Sequence, residues 1–117
     1  MKEDLKQRTF DLAVRVVNLC RELEKTPGAS RTLSGQLLRS GTSVGANVEE
    51  GQASQSKADF VSKYSIACKE ARETHYWLRL LVATEIMQQN QIAGLIDEAN
   101  QLIAILTTII KRTKANG

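Results

Sequence analysis

Apolar residues recur along the chain at helical spacing and are interrupted by short polar or glycine-bearing stretches, a pattern that predicts four helices. In the first, about residues 5–25, Leu12, Val16, Leu19 and Leu23 form one stripe, and Phe10, Val14 and Val17 form an adjoining one. Thr26-Pro27-Gly28-Ala29 stops this helix, because proline disfavours helix in the residue before it and glycine supplies positive φ. Ser30 is then the predicted N-cap of a second helix, about 31–50, with Leu33, Leu37, Val44 and Val48 on one face and Gly41 at the missing step. Gly51-Gln52-Ala53-Ser54-Gln55 is the next break. Ser56-x-x-Asp59 reads as a capping box with Asp in place of Glu. It opens a third helix, about 57–89, whose inward face is Phe60, Tyr64, Ala67, Ala71, Leu78, Leu81 and Val82. After the polar run Gln88-Gln89-Asn90-Gln91, a fourth helix, about 92–112, sets Ile92, Leu95, Ala99, Leu102, Leu106 and Ile109 near an a/d seam.

Short connections make consecutive helices antiparallel neighbours, so the expected architecture is an all-α, up-down four-helix bundle forming one domain over residues 1–117. The apolar surfaces of the first and fourth helices are wider than one internal seam needs, which predicts self-association. Gly41 and Gly45 each cost the second helix roughly 0.8–1 kcal/mol relative to alanine, and close approach of another backbone is the economical compensation.

Composition narrows this picture little. Hydrophobic residues at 42% and charged residues at 25% are ordinary globular usage, while a single proline and 4% aromatics disfavour a sandwich or barrel. The net charge of +3 permits an acidic partner without requiring one. Cys20 and Cys68 lack Cys-x-x-Cys spacing and read as buried free thiols rather than a disulfide or zinc pair. No apolar leader opens the chain and no 18-residue uninterrupted apolar run follows, so a cytoplasmic protein is expected.

Catalytic patterns are weak. Gly41-Thr42-Ser43-Val44-Gly45 matches the Gly-x-Ser-x-Gly of a nucleophile elbow, but no strand pattern precedes it, and His75 is the only histidine available as a base. A di-iron bundle requires Glu-x-x-His pairs, and position 72 is Arg. No lysine follows the glycines as a phosphate-binding loop requires. The reading is therefore a non-enzyme with no cofactor and no metal. Among the basic residues, Arg72 and Arg79 share a helix face, and Lys111, Arg112 and Lys114 close the fourth helix, where cations complement its dipole. These five are the candidate nucleic-acid contacts; the alternative is a solvated face.

The run from Gln36 to Gly51, QLLRSGTSVGANVEEG, together with Ser56-x-x-Asp59-Phe60 and Lys69-Glu70-Ala71-Arg72-Glu73-Thr74-His75-Tyr76-Trp77-Leu78-Arg79, resembles the four-helix-bundle proteins encoded in intervening sequences of bacterial 23S ribosomal RNA genes. The motif residues are Arg39, Ser40, Gly41, Ser43, Gly45, Asn47, Glu50 and Gly51; Gly45 stands where the family often has proline, and Glu49 where a small residue is usual. The resemblance implies a homo-oligomer, commonly a pentamer. It also implies kinship with the accessory protein of diversity-generating retroelements, which is thought to bind RNA or DNA. A scaffold that recruits another protein without nucleic acid is the second expectation. Physically, Arg39, Ser40, Ser43, Asn47 and Glu50 lie where they can bond to Glu70, Glu73 or Tyr76 across the bundle and fix the register of the helices; the alternative is a recognition surface for a partner.

Overall fold

The computed structural model describes residues 2–116, which form α1 (Lys2–Leu23), α2 (Ala29–Gln52), α3 (Lys57–Ala83) and α4 (Gln89–Ala115). Local chemistry sets the helix ends. Gly28, at φ 93, turns the chain into α2 in a conformation that a side chain resists, which makes it the N-cap in place of Ser30. Ser30 lies inside α2, and its hydroxyl donates to the carbonyl of Leu23 at 2.8 Å, so it closes the end of α1 instead. Ser56 caps α3 as expected, its Oγ accepting the Asp59 amide at 3.0 Å.

α3 is shorter than its apolar pattern suggested. It ends at Ala83, with Thr84 closing the last turn and Glu85 in the left-handed region at φ 63. Ile86 and Met87, which prolong the apolar pattern, fold back onto the core as a partly buried plug at the end of the bundle. The glutamine run is likewise not a connection. Gln88 is the N-cap of α4, and the side chain of Gln91 accepts its backbone amide at 2.8 Å to complete a capping box.

The helices form an antiparallel up-down bundle, 48 × 20 × 20 Å, in which α1 packs on α2, α2 on α3 and α3 on α4. The ring closes through a much thinner α1–α4 contact. One core runs its length, with Leu12, Val16, Leu37, Val44, Val48, Tyr64, Leu78, Leu81, Leu102 and Leu106 fully enclosed. Cys20 and Cys68 are buried free thiols. The Cys20 thiol, whose pKa burial pushes up, donates to the carbonyl of Ser34 at 3.4 Å, and the Ser34 hydroxyl donates to the carbonyl of Cys20 at 3.3 Å.

Gly41 and Gly45 lie on the α1-facing side of α2. A Cβ at Gly45 would stand 3.1 Å from the backbone oxygen of Thr9, and one at Gly41 would stand 2.7 Å from a methyl of Val16. Their absence lets the two helices approach, with van der Waals contact offsetting poor helix propensity. Gly51 plays the same part toward α3, where a Cβ would be 2.6 Å from the Tyr64 ring.

Apolar surface remains outside. Phe10 is 55% and Val14 44% exposed on the outward side of α1. α4 is long and apolar enough by composition to cross a membrane, although charged and polar residues interrupt any continuous run. Its Ile92, Leu95, Ala99, Leu102 and Leu106 are buried in the bundle, while Ile105, Ile109 and Ile110 are only half-buried.

Candidate nucleic-acid interface

Arg39 and Ser40 of the α2 motif meet their counterparts on α3 across the interface between the two helices. Arg39 donates to Glu70 at 3.0 Å and also pairs with Glu73, so one guanidinium holds two carboxylates, the first of them buried. One turn away, the Thr74 hydroxyl contacts that of Ser40 at 3.0 Å and donates to the Glu70 carbonyl at 2.8 Å. Glu73 also accepts from the indole of Trp77 at 3.3 Å. Among the described residues no buried side-chain nitrogen or oxygen is left without a partner.

The rest of the motif goes elsewhere. Asn47 stays within its own helix, donating to the carbonyl and hydroxyl of Ser43 at 2.9 and 3.0 Å. Glu50 pairs with Lys63 at 3.0 Å rather than reaching Glu70, Glu73 or Tyr76. This pairing holds the Lys63 pKa above its ordinary value, through the hydrogen bond first and the charge second. Tyr76 turns outward, 49% exposed, with the Arg79 guanidinium 5.8 Å from its ring centre and Trp77 edge-on at 5.1 Å.

Ser43 lies in the interior of a continuous helix, where it accepts from Asn47, and not on the strand-to-helix turn that a nucleophile elbow requires. Burial first, and then the charge of Arg79, lower the pKa of His75 below 6.5. A depressed histidine pKa means that the unfolded chain takes up its proton first. His75 therefore contributes stability that is fully present above pH 6.5 and lost as pH falls through its folded value. An NMR titration of the imidazole is expected to give a midpoint below 6.5 in the folded protein and a normal midpoint in urea.

The candidate cations are exposed, and among the described residues no carboxylate lies within 4.0 Å of Arg72, Arg79, Lys111, Arg112 or Lys114. They do not form one patch in a single chain. Cys68 contacts Ile103 and Thr107 across the antiparallel α3–α4 pair, which fixes the register. At 1.5 Å per residue, the Lys111–Lys114 turn lies roughly 25–30 Å along the axis from Arg79. By contrast Arg8 is consumed within the fold, donating twice to Glu98 at 2.7 and 2.9 Å and holding the thin α1–α4 seam. Its pKa is raised chiefly by that hydrogen bond. Among the described residues no group of His, Cys, Asp and Glu side chains is placed to hold a metal ion.

Sequence reasoning missed the company that Arg72 and Arg79 keep. Lys69, Arg72, Tyr76 and Arg79 occupy adjoining positions on one flank of α3, and a shallow concavity of 150 Å³ beside them is lined by Tyr76, Arg79, Leu80 and Ala83. The spacing of Arg72, Tyr76 and Arg79 at i, i+4 and i+7 was the available signal.

Residues 1–108 match the family model described as 23S rRNA-intervening sequence protein. A solved structure from Bacteroides thetaiotaomicron, a protein of unknown function from the S23 ribosomal protein family, is 41% identical. The match covers 92% of this chain and 98% of that one, with a TM-score of 0.84. No curated protein matches the chain.

Proposed function

Because this chain belongs to the 23S rRNA-intervening sequence protein family, we propose that it works as a non-enzymatic, self-assembling bundle that holds RNA or DNA through cations on its outer surface. The observation that carries the reading is the separation of charge on α3. Its inward-leaning carboxylates Glu70 and Glu73 are both paired with Arg39 from α2, while Arg72 and Arg79 are left exposed and unopposed. A cation not cancelled by a neighbouring carboxylate keeps its attraction for phosphate. Assembly is supported by the outward Phe10 and Val14 and by the half-buried isoleucines of α4. Five copies, the number the family resemblance implies, would carry about +15 and multiply that attraction.

Binding of a labelled oligonucleotide is expected to weaken steeply between about 50 and 200 mM salt, with Arg72→Gln and Arg79→Gln each lowering the logarithmic slope by about 0.7–0.9. Binding independent of salt would falsify the reading. Light scattering is expected to give a mass several times the 12.9 kDa of one chain, and Phe10→Glu/Val14→Glu is expected to lower it. A second reading, recruitment of another protein, is favoured by the apolar concavity of 340 Å³ on α4 lined by Ala104, Ile105, Thr108, Ile109 and Arg112. A protein partner retained after nuclease treatment, with no salt-sensitive oligonucleotide binding, would favour it.

A further inference from the structure

We infer that the flank of α3 carrying Lys69, Arg72, Tyr76 and Arg79 is a stacking platform for single-stranded nucleic acid, on which one base packs against Tyr76 while the cations hold the flanking phosphates. The inference rests on the nucleic-acid reading and names its site and ligand class.

Geometry, charge and support from behind converge on it. A tyrosine 49% exposed in the middle of a helix leaves much of its ring unused by the core. The neighbouring concavity of 150 Å³, lined by Tyr76, Arg79, Leu80 and Ala83, offers room for one planar base with an aromatic face on one side and aliphatic carbon on another. Arg79 lies loosely over the ring at 5.8 Å, near the outer limit of a cation–π contact, so a base can stack on tyrosine with the guanidinium at its edge. Arg72 and Arg79 are separated by roughly 10 Å along the helix, one on each side of Tyr76 in the chain. Lys69 adds a third exposed cation on the same flank.

The family motif supplies the support. Arg39 holds Glu73, Glu73 accepts from Trp77, and the Trp77 ring stands edge-on against Tyr76 at 5.1 Å. This chain of contacts fixes the aromatic pair and keeps the Glu73 carboxylate occupied. A duplex hides its base faces, so stacking selects a single strand, and every base presents a π-face, so little sequence preference is expected. An acidic peptide would use the cations but not the ring.

Trp77 is the single tryptophan of the chain, which makes its fluorescence a reporter of this site in the intact protein. The probes are a short oligo(dT), its oligo(U) counterpart, an abasic oligomer of equal length, a duplex and poly-glutamate. Both base-bearing single strands are expected to quench Trp77 and to bind at least about fivefold more tightly than the abasic oligomer at the same salt, the lower end of what one stacked base contributes. Tyr76→Ala is expected to lose at least about fivefold in affinity for oligo(dT) while its light-scattering mass stays unchanged, and Tyr76→Phe is expected to retain binding. Equal binding of the abasic oligomer, an unaffected Tyr76→Ala variant, a changed mass, or poly-glutamate competing on equal terms would each overturn the platform. If duplex and single strand bind alike with steep salt dependence and Tyr76→Ala is silent, the platform fails while the nucleic-acid reading stands. If no nucleic acid binds even at low salt, both fail.

Discussion

Gly41→Ala is expected to destabilise the bundle by roughly 1–2 kcal/mol, whereas Gly35→Ala in the same helix is expected to stabilise it by about 0.8–1 kcal/mol. Both substitutions improve helix propensity and remove backbone freedom from the unfolded chain. They differ only in what the new methyl meets. At Gly35 nothing lies within 4 Å, so the gain is kept. At Gly41 the methyl would stand 2.7, 2.8 and 3.0 Å from three atoms of Val16, a fully buried residue whose branched side chain has essentially one rotamer in a helix. Val16 cannot swing away, so α1 must move, and overpacking of this kind costs more than propensity returns. Urea denaturation of the two variants should move the midpoint in opposite directions at similar m-values. Stabilisation by both would show that α1 and α2 have slack at their crossing.

The same contrast marks how far the residues alone led. The four helices, their order and the inward faces of the second, third and fourth followed from apolar periodicity, because burial of a stripe is the strongest constraint on a helix in a bundle; in the first, two stripes were offered, of which Leu12, Val16 and Leu23 turn inward and Phe10 and Val14 outward. The need for a close neighbour at Gly41 and Gly45 followed from the cost of glycine in a helix. The ends were harder. Glu85 takes up the left-handed turn after α3 although no glycine or proline marks it, and Gln88 and Gln91 cap α4 although glutamine is not a usual N-cap. Ser30 has the chemistry of an N-cap but spends its hydroxyl on the preceding helix, a choice made by the packing of α1 against α2.

The candidate site was legible in pieces. The residue types of the α2 motif and of α3 allowed a network between the two helices, but not which members share it. Antiparallel register brings Arg39 beside Glu70 and Glu73, and leaves Glu50 to Lys63 farther along. It also decides that Tyr76 faces out. That outcome depends on the angular position of Tyr76 on α3 relative to α2 and α4, a tertiary quantity that residue spacing on one helix does not contain.

Arg39→Met is expected to cost about 2 kcal/mol of stability, the second large effect, and to act on Trp77 as well as on folding. Removing one partner of a buried ion pair costs roughly 3–5 kcal/mol when both charges are enclosed. Here Glu70 is enclosed, its side chain 10% exposed, while Arg39 is 49% exposed, so solvent relieves part of the penalty. Two carboxylates on successive turns of α3 then face each other without a cation between them, and the buried one has lost its charged partner. Adding Glu70→Gln to Arg39→Met removes the stranded charge and is expected to recover about half of the loss, the non-additivity that a shared interaction produces. Glu50→Gln is the control. It breaks the solvent-exposed pair with Lys63 and is expected to leave stability nearly unchanged. Because Arg39 holds Glu73 and Glu73 accepts from the Trp77 indole, Arg39→Met is also expected to change the tryptophan emission of the still-folded protein, and Glu50→Gln is not. Equal costs for the Arg39 and Glu50 variants would show that the motif arginine is an ordinary surface residue. A large cost confined to Arg39, partly restored by Glu70→Gln, would place the register lock between α2 and α3 on this one side chain.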